Sequence, residues 1–259
     1  MSIQELRCER QEGIALVRLN RPEKLNALSR TLIKALQDLF KQLNEEKSLR
    51  AIILTGEGPA FCAGTDLNEI AGLDVEQAIA ASRRGQELCN AIENSRIPVI
   101  AAVNGIAAGG GCEVALACHI RFASAEATFS LPEIKLGIIP GYGGTQRLAR
   151  EIGAGRALEI ILSGRSLDAH EANQVGLVNR VCENDALLSE AAALGNEIAQ
   201  LAPLAIRAAL ESVVRGLEMP LEQGLELETN LFAKLFASND MREGTRAFLE
   251  KRKPVFNGT

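Results

Sequence analysis

The sequence predicts an α/β core of stacked ββα-like turns followed by a helical C-terminal region. Three observations predict it. Short apolar runs of strand type alternate with longer stretches of helical periodicity before Gly144. Three consecutive glycines, Gly109, Gly110 and Gly111, stand between a strand pattern and a helix pattern. From Gly144 onward helical patterns dominate.

The elements follow in order. A strand is expected at Ile14–Leu19, after Gly13, and another at 50–54, before Thr55 and Gly56. Between them Leu32, Ile33, Leu36, Leu39, Phe40 and Leu43 mark one face of a helix, with Ser29 as its cap. Residues 79–92 read as a second helix and Val99–Val103 as a buried strand. Val114, Leu116 and Ala117 carry a helix-like pattern, and 119–123 and 127–130 read as short strands. Further on, Asn184 is placed to cap a helix carrying Leu187, Leu188, Ala191, Leu194 and Ile198. A last helix over 221–236 is apolar on more than one face, at Leu231, Phe232, Leu235 and Phe236, so it is expected to be covered on two sides. No fixed-period repeat is visible.

Composition narrows the function. The 259 residues suit one domain, or one domain with an appendage, and nearly half are apolar. With eight Phe, one Tyr and no Trp, the core must be aliphatic. A net charge of −5 argues against broad binding of nucleic acid or of anionic membranes. No apolar run is long enough to span a bilayer. Residues 1–10 lack the apolar stretch of a signal peptide. The six cysteines, Cys8, Cys62, Cys89, Cys112, Cys118 and Cys182, form no C-x-x-C pair. Cys112, Cys118 and His119 fit no common zinc spacing, so no metal is expected. Reduced, buried thiols imply a reducing compartment, and a cytoplasmic location is expected.

Two stretches are built to bring backbone N–H groups to a substrate: residues 60–66 (AFCAGTD) and 104–113 (NGIAAGGGCE). Glycines let a backbone turn tightly and approach a ligand with no Cβ in the way. The first N–H groups of a helix have no partner within it and can meet developing negative charge. A carboxylic acid, Glu113, stands two residues beyond the last usable N–H.

The pattern resembles the enoyl-CoA hydratase (crotonase) family. The resemblance rests on residues 20–28 (NRPEKLNAL), 61–67 (FCAGTDL), 131–134 (LPEI) and 136–148 (LGIIPGYGGTQRL), together with the glycine run, all in the family's order. It implies a crotonase-like spiral of ββα units over residues 1–195, and a helical C-terminal oligomerisation region over 196–259. It also implies homotrimers that pair into hexamers. The implied reaction is reversible hydration of trans-2-enoyl-CoA to 3-hydroxyacyl-CoA, as in fatty-acid β-oxidation, with coenzyme A part of the substrate and no separate cofactor. By resemblance the N–H groups of Thr65 and Gly110 form an oxyanion hole, which stabilises charge on the thioester oxygen. The family commonly has Ala or Gly where this chain has Thr65. Glu113 and Glu133, twenty residues apart, match the two catalytic glutamates. Two carboxyls can share hydration if one is ionised and one protonated, and close carboxyls should titrate together. The resemblance makes Glu113 the activator of water and Glu133 the source of the α proton. Gly141 matches a glycine that holds the water and Glu133. Lys24, Leu25, Ala27, Ala63, Thr65, Asp66 and Leu67 match CoA-contacting positions, and Phe248 and Lys251 match positions near the CoA adenine or phosphates. The acyl pocket is expected between the 79–92 helix and the loop 136–142.

Taken singly, each residue has a plainer reading. Glu113 would be a surface residue at a helix start, Pro132 and Glu133 a helix opening, Lys24 a solvated lysine, Phe248 core and Lys251 part of a charged tail. Other reaction classes fit worse. Gly105 to Gly110 can be forced into G-x-A-x-x-G, but the acidic residue a dinucleotide fold wants is poorly matched by Glu126. There is no G-x-S-x-G, and Gly111 and Cys112 stand where a phosphate loop needs Lys and Ser or Thr. An RNA-binding role lacks basic and aromatic residues interleaved. Within the family, isomerases and other acyl-CoA enzymes share the oxyanion hole; keeping both glutamates favours hydration.

Overall fold

The computed structural model describes residues 5–259, so the leader reading at Met1, Ser2, Ile3 and Gln4 lies outside the described residues. β1 (Leu6–Gln11) and β2 (Ile14–Leu19) form an antiparallel hairpin, with Gln11 opposite Ile14. Glu12 and Gly13 both have positive φ, 50° and 82°, the turn whose twist suits a two-residue hairpin. α1 (Arg30–Glu45) starts where Ser29 Oγ accepts the Leu32 N–H at 3.0 Å, and buries the predicted apolar face apart from Leu39, which is partly buried. β3 (Ala51–Gly56) then pairs parallel with β2.

From here the chain alternates between two sheets. β4 (Ala60–Cys62) opens the second sheet, and α2 (Leu67–Ile70) and α3 (Val75–Glu93) follow. β5 (Val99–Val103) returns to the first sheet, β6 (Ile106–Ala108) to the second, and α4 (Gly110–Ala117) closes that turn. β7 (Ile120–Ser124) and β8 (Thr128–Ser130) repeat the move. A 3-10 turn at Glu133–Leu136 then leads to α5 (Gly144–Ile152) and α6 (Ala154–Ser163). β9 (Ser166–Asp168), α7 (Ala169–Gln174), β10 (Arg180–Cys182) and α8 (Leu187–Ala199) complete the core. The sheets run β1-β2-β3-β5-β7-β10 and β4-β6-β8-β9. This is the expected ββα spiral.

The central strands are covered on both faces, which is why they read as unbroken apolar runs. In β3, Ile52 and Leu54 face the cluster packed by α1, while Ala51 and Ile53 face Leu187 and Ala191 of α8. β5 divides the same way. α8 packs on β2, β3, β5 and β7, and residues 195 and 196 lie inside it. Asn184 does not cap α8: the cap position is Ala186, and a turn from Glu183 to Ala186 sets the helix start beyond the reach of the Asn184 side chain.

α9 (Pro203–Gly216), α10 (Leu221–Leu235) and α11 (Asn239–Leu249) form the C-terminal region. α9 and α10 pack as a pair, with Gly216 and Gly224 in close approach. Leu231 is buried, but Phe232 and Phe236 meet edge to face at 5.0 Å and are 62% and 52% exposed. Within one chain, the second covering of this helix is not supplied.

Candidate active site

The first N–H turn follows β4. Gly64 has φ 110°, and a Cβ there would lie 2.9 Å from the Ala108 carbonyl oxygen, so the position requires glycine. Leu28 donates its N–H to the Gly64 oxygen at 2.7 Å and accepts from the Asp66 N–H at 3.0 Å. In such a parallel bridge the N–H of Thr65 faces away from Leu28, and no acceptor among the described residues takes it.

The second turn opens α4. Gly109 has φ 49° and gives its N–H to the Ser130 oxygen at 2.9 Å. The N–H of Gly110 is the first of the helix and has no acceptor among the described residues. A Cβ built on Gly64 would lie 3.6 Å from the Gly110 nitrogen, so the two turns are neighbours. The three glycines answer to three different neighbours. A Cβ at Gly109 would meet Glu133 Oε1 at 2.7 Å, one at Gly110 would meet Thr65 Oγ1 at 3.1 Å, and one at Gly111 would overlap the Cys62 carbonyl.

Both glutamates face this place. Glu113 is 1% exposed, which rules out the surface reading. Its Oε1 accepts the N–H groups of Tyr142 and Gly144, each at 2.7 Å. Burial pushes the Glu113 carboxyl up to about 7; the Gly144 and Tyr142 N–H groups oppose that rise and the charge of Glu133 adds to it. Glu133 begins the 3-10 turn after Pro132, and burial raises its carboxyl as well. Its Oε2 is buried without a hydrogen-bond partner. Gly141 holds its carbonyl toward α3, where Ser82 Oγ donates at 2.6 Å and Gln86 Nε2 at 3.2 Å. Arg147 donates to the Tyr142 oxygen at 3.1 Å and grips Glu93 with two nitrogens, at 3.0 and 2.6 Å, tying α5 to α3.

The loop at 20–28 is fixed by a residue that sequence reasoning did not single out. Asn26 is buried with φ 58°; it accepts the Arg21 N–H at 2.8 Å and donates to the oxygens of Glu57 and Ala60 at 2.9 and 2.7 Å. The Ala63 N–H bonds the Leu25 oxygen at 2.9 Å, so the expected CoA-contacting segments lie side by side. Lys24, Leu25 and Leu67 are exposed and Ala27 is half-buried. Asp66 is already engaged: it caps α2 through Asn68 and pairs with Arg21 at 3.3 Å. Phe248, 83% exposed on α11, is not core, and Lys251 is exposed beyond the helix end.

The rival dinucleotide reading fails on topology. β6, in the second sheet, intervenes between β5 and the glycines, and Glu126 sits exposed between β7 and β8. His119 has both ring nitrogens committed, Nδ1 accepting from Val99 N–H at 2.9 Å and Nε2 bonding the Glu93 oxygen at 3.0 Å.

A model of the enoyl-CoA hydratase/isomerase family matches residues 9–259. The chain belongs to that family. A probable enoyl-CoA hydratase of Rhizobium meliloti is 45% identical over 257 residues, covering 99% of each chain. A short-chain-enoyl-CoA hydratase of Clostridium acetobutylicum is 37% identical, covering 98% of this chain and 97% of that one. The crystal structure of an enoyl-CoA hydratase of Bacillus anthracis is 41% identical, with a TM-score of 0.96 over 99% of this chain and 100% of that one. Tyr142, Gly144 and Arg147 were legible only as parts of the loop motif, since their roles depend on which side of α4 that loop crosses.

Proposed function

We propose that the protein hydrates trans-2-enoyl-CoA thioesters to 3-hydroxyacyl-CoA. The observation that carries this reading is the pairing of two unclaimed N–H groups, on Thr65 and Gly110, with the buried Glu113 and half-buried Glu133 carboxyls, both raised by burial. The thioester oxygen accepts both N–H groups, and electron density withdrawn onto it leaves the β carbon open to attack. Glu113 takes a proton from water as the water oxygen bonds to the β carbon. Glu133, whose carboxyl burial raises, delivers its proton to the α carbon, and the carbonyl re-forms. Water and both new bonds are thereby accounted for, and the proton gained by Glu113 must return to the carboxyl pair or solvent before the next turnover. In this reading Gly141 and the Glu113 oxygen not bonded to Tyr142 and Gly144 hold the water, a role carried over from the family resemblance. Lys24, Leu25, Ala27 and Ala63 to Leu67 line the CoA end, with Phe248 and Lys251 reaching the adenine or phosphates from the helical region.

That region is the proposed oligomerisation surface of a homotrimer or dimer of trimers, supported by its exposed Phe and Leu side chains. A reducing, cytoplasmic setting is supported by five buried free cysteines, whose thiols burial pushes up. No helix among the described residues is long and apolar enough to cross a membrane. Loss of the conjugated-thioester ultraviolet absorbance on a series of enoyl-CoAs tests the reaction. Inactivity on short, medium and branched members would reject it.

A further inference from the structure

Tyr142, the single tyrosine of the chain, is placed to decide which acyl chains fit. Its backbone is fixed at both ends, by Glu113 on its N–H and Arg147 on its carbonyl. Its side chain is 6% exposed and lies between α3 and α4. On the α3 side, a Cβ built at Gly85 would overlap ring atoms Cγ, Cδ1 and Cε1, so the ring occupies the notch that Gly85 leaves. On the α4 side, a Cβ at Gly110 would stand 3.1 Å from ring Cε2 and 3.2 Å from Cδ2. The ring therefore spans the whole gap between α3 and the oxyanion glycine. Thr65 Oγ1 is 3.1 Å from that same Cβ position, and its hydroxyl faces the Tyr142 phenol.

An enoyl chain bound here has its carbonyl at the Gly110 N–H and its β carbon at Glu113. The ring stands beside Gly110 itself, so carbons beyond the carbonyl that turn toward α3 meet it. The ring is buried, with one edge in the notch at Gly85 and the other beside Gly110. We propose that the Tyr142 ring closes the acyl end of the site and makes the protein select short enoyl-CoA thioesters, of crotonyl type, over longer ones. This rests on the hydratase reading.

The test uses crotonyl-CoA and trans-2-decenoyl-CoA as substrates, and butyryl-CoA and decanoyl-CoA as unreactive ligands that read chain length without chemistry. Wild type should favour the short member of each pair by at least about tenfold, since even one methylene is worth that much in a tight apolar pocket. Tyr142→Phe should keep the preference, because the ring remains. Tyr142→Ala should raise the ratio of kcat/KM for decenoyl- over crotonyl-CoA by at least about tenfold. Tyr142→Leu, which keeps apolar bulk, should give a smaller rise and covers the case in which the alanine variant does not fold. Wild type that treats both lengths alike, or ratios unmoved in every folded variant lacking the ring, would overturn the length limit while leaving hydration intact. Wild type that hydrates nothing yet binds butyryl-CoA over decanoyl-CoA would sink the hydratase reading and leave the length limit standing.

Discussion

Gly144 presents its N–H to Glu113 Oε1 at 2.7 Å, and it can do so because a Cβ there would fall 2.9 Å from Glu113 Cγ. The glycine thus fixes both the place and the charge of the proposed base. Gly144→Ala should push the carboxylate off line and weaken the bond that favours its ionised form. We expect kcat to fall about 10²-fold near neutral pH, as for other small displacements of reacting groups. The rising limb of the pH–rate profile should move to higher pH. An alanine variant with wild-type kcat and an unmoved limb would refute the arrangement.

Glu113→Gln and Glu133→Gln should each slow turnover by at least about 10²-fold while acyl-CoA binding changes little. Gln keeps the shape and removes the titrating group. In wild type, kcat/KM should rise with pH through about 7, as Glu113 loses its proton. Steady-state kinetics across pH on the three proteins is the check.

Glu113 also links activity to stability. Its folded value of about 7 lies above the ordinary 4.5, so the folded state holds the proton more tightly. Its contribution is therefore full below about 4.5 and lost as pH rises through about 7, a loss on the order of 3 kcal/mol. Glu113→Gln should gain on wild type in thermal melting as pH rises across that window. Melting curves that keep a constant offset from acid to neutral pH would contradict it.

The two oxyanion positions should respond differently. At Gly110 a Cβ would crowd both Thr65 Oγ1 and the Tyr142 ring, and losing one such donor costs roughly 10²–10³-fold in kcat. Gly110→Ala should show that loss with the fold intact by circular dichroism. Thr65→Ala should be mild, since only its N–H serves the thioester. Equal damage from both would overturn the assignment.

Phe232, Phe236, Leu217 and Leu221 are exposed on the helical region, and a second copy is the expected cover. Light scattering at micromolar concentration should give three or six times the 27.7 kDa chain mass. A monomer mass would contradict it.

Local signals made much of this protein legible before its fold was known. Val99–Val103 was readable because two-sided burial leaves an unbroken apolar run, Ile14–Leu19 because it is apolar but for Arg18, and Ser29 because a cap bonds within its own turn. The glycines around Gly110, and the motif order, pointed to the catalytic region because each must meet a backbone constraint wherever the chain goes. β1 escaped notice: it is an edge strand with one buried residue, Leu6, and its turn is Glu12–Gly13 rather than a stronger hairpin pair. β4, β6, β9 and β10, at three residues each, are too short for periodicity to register. Asn184 misled because residue type marks a cap only where the helix actually starts. The depth of Glu113, its two N–H partners and the notch at Gly85 that receives Tyr142 join residues far apart in the chain. Only the packing of α3, α4 and α5 around one point decides them, because burial and close approach are properties of neighbours in space rather than in sequence.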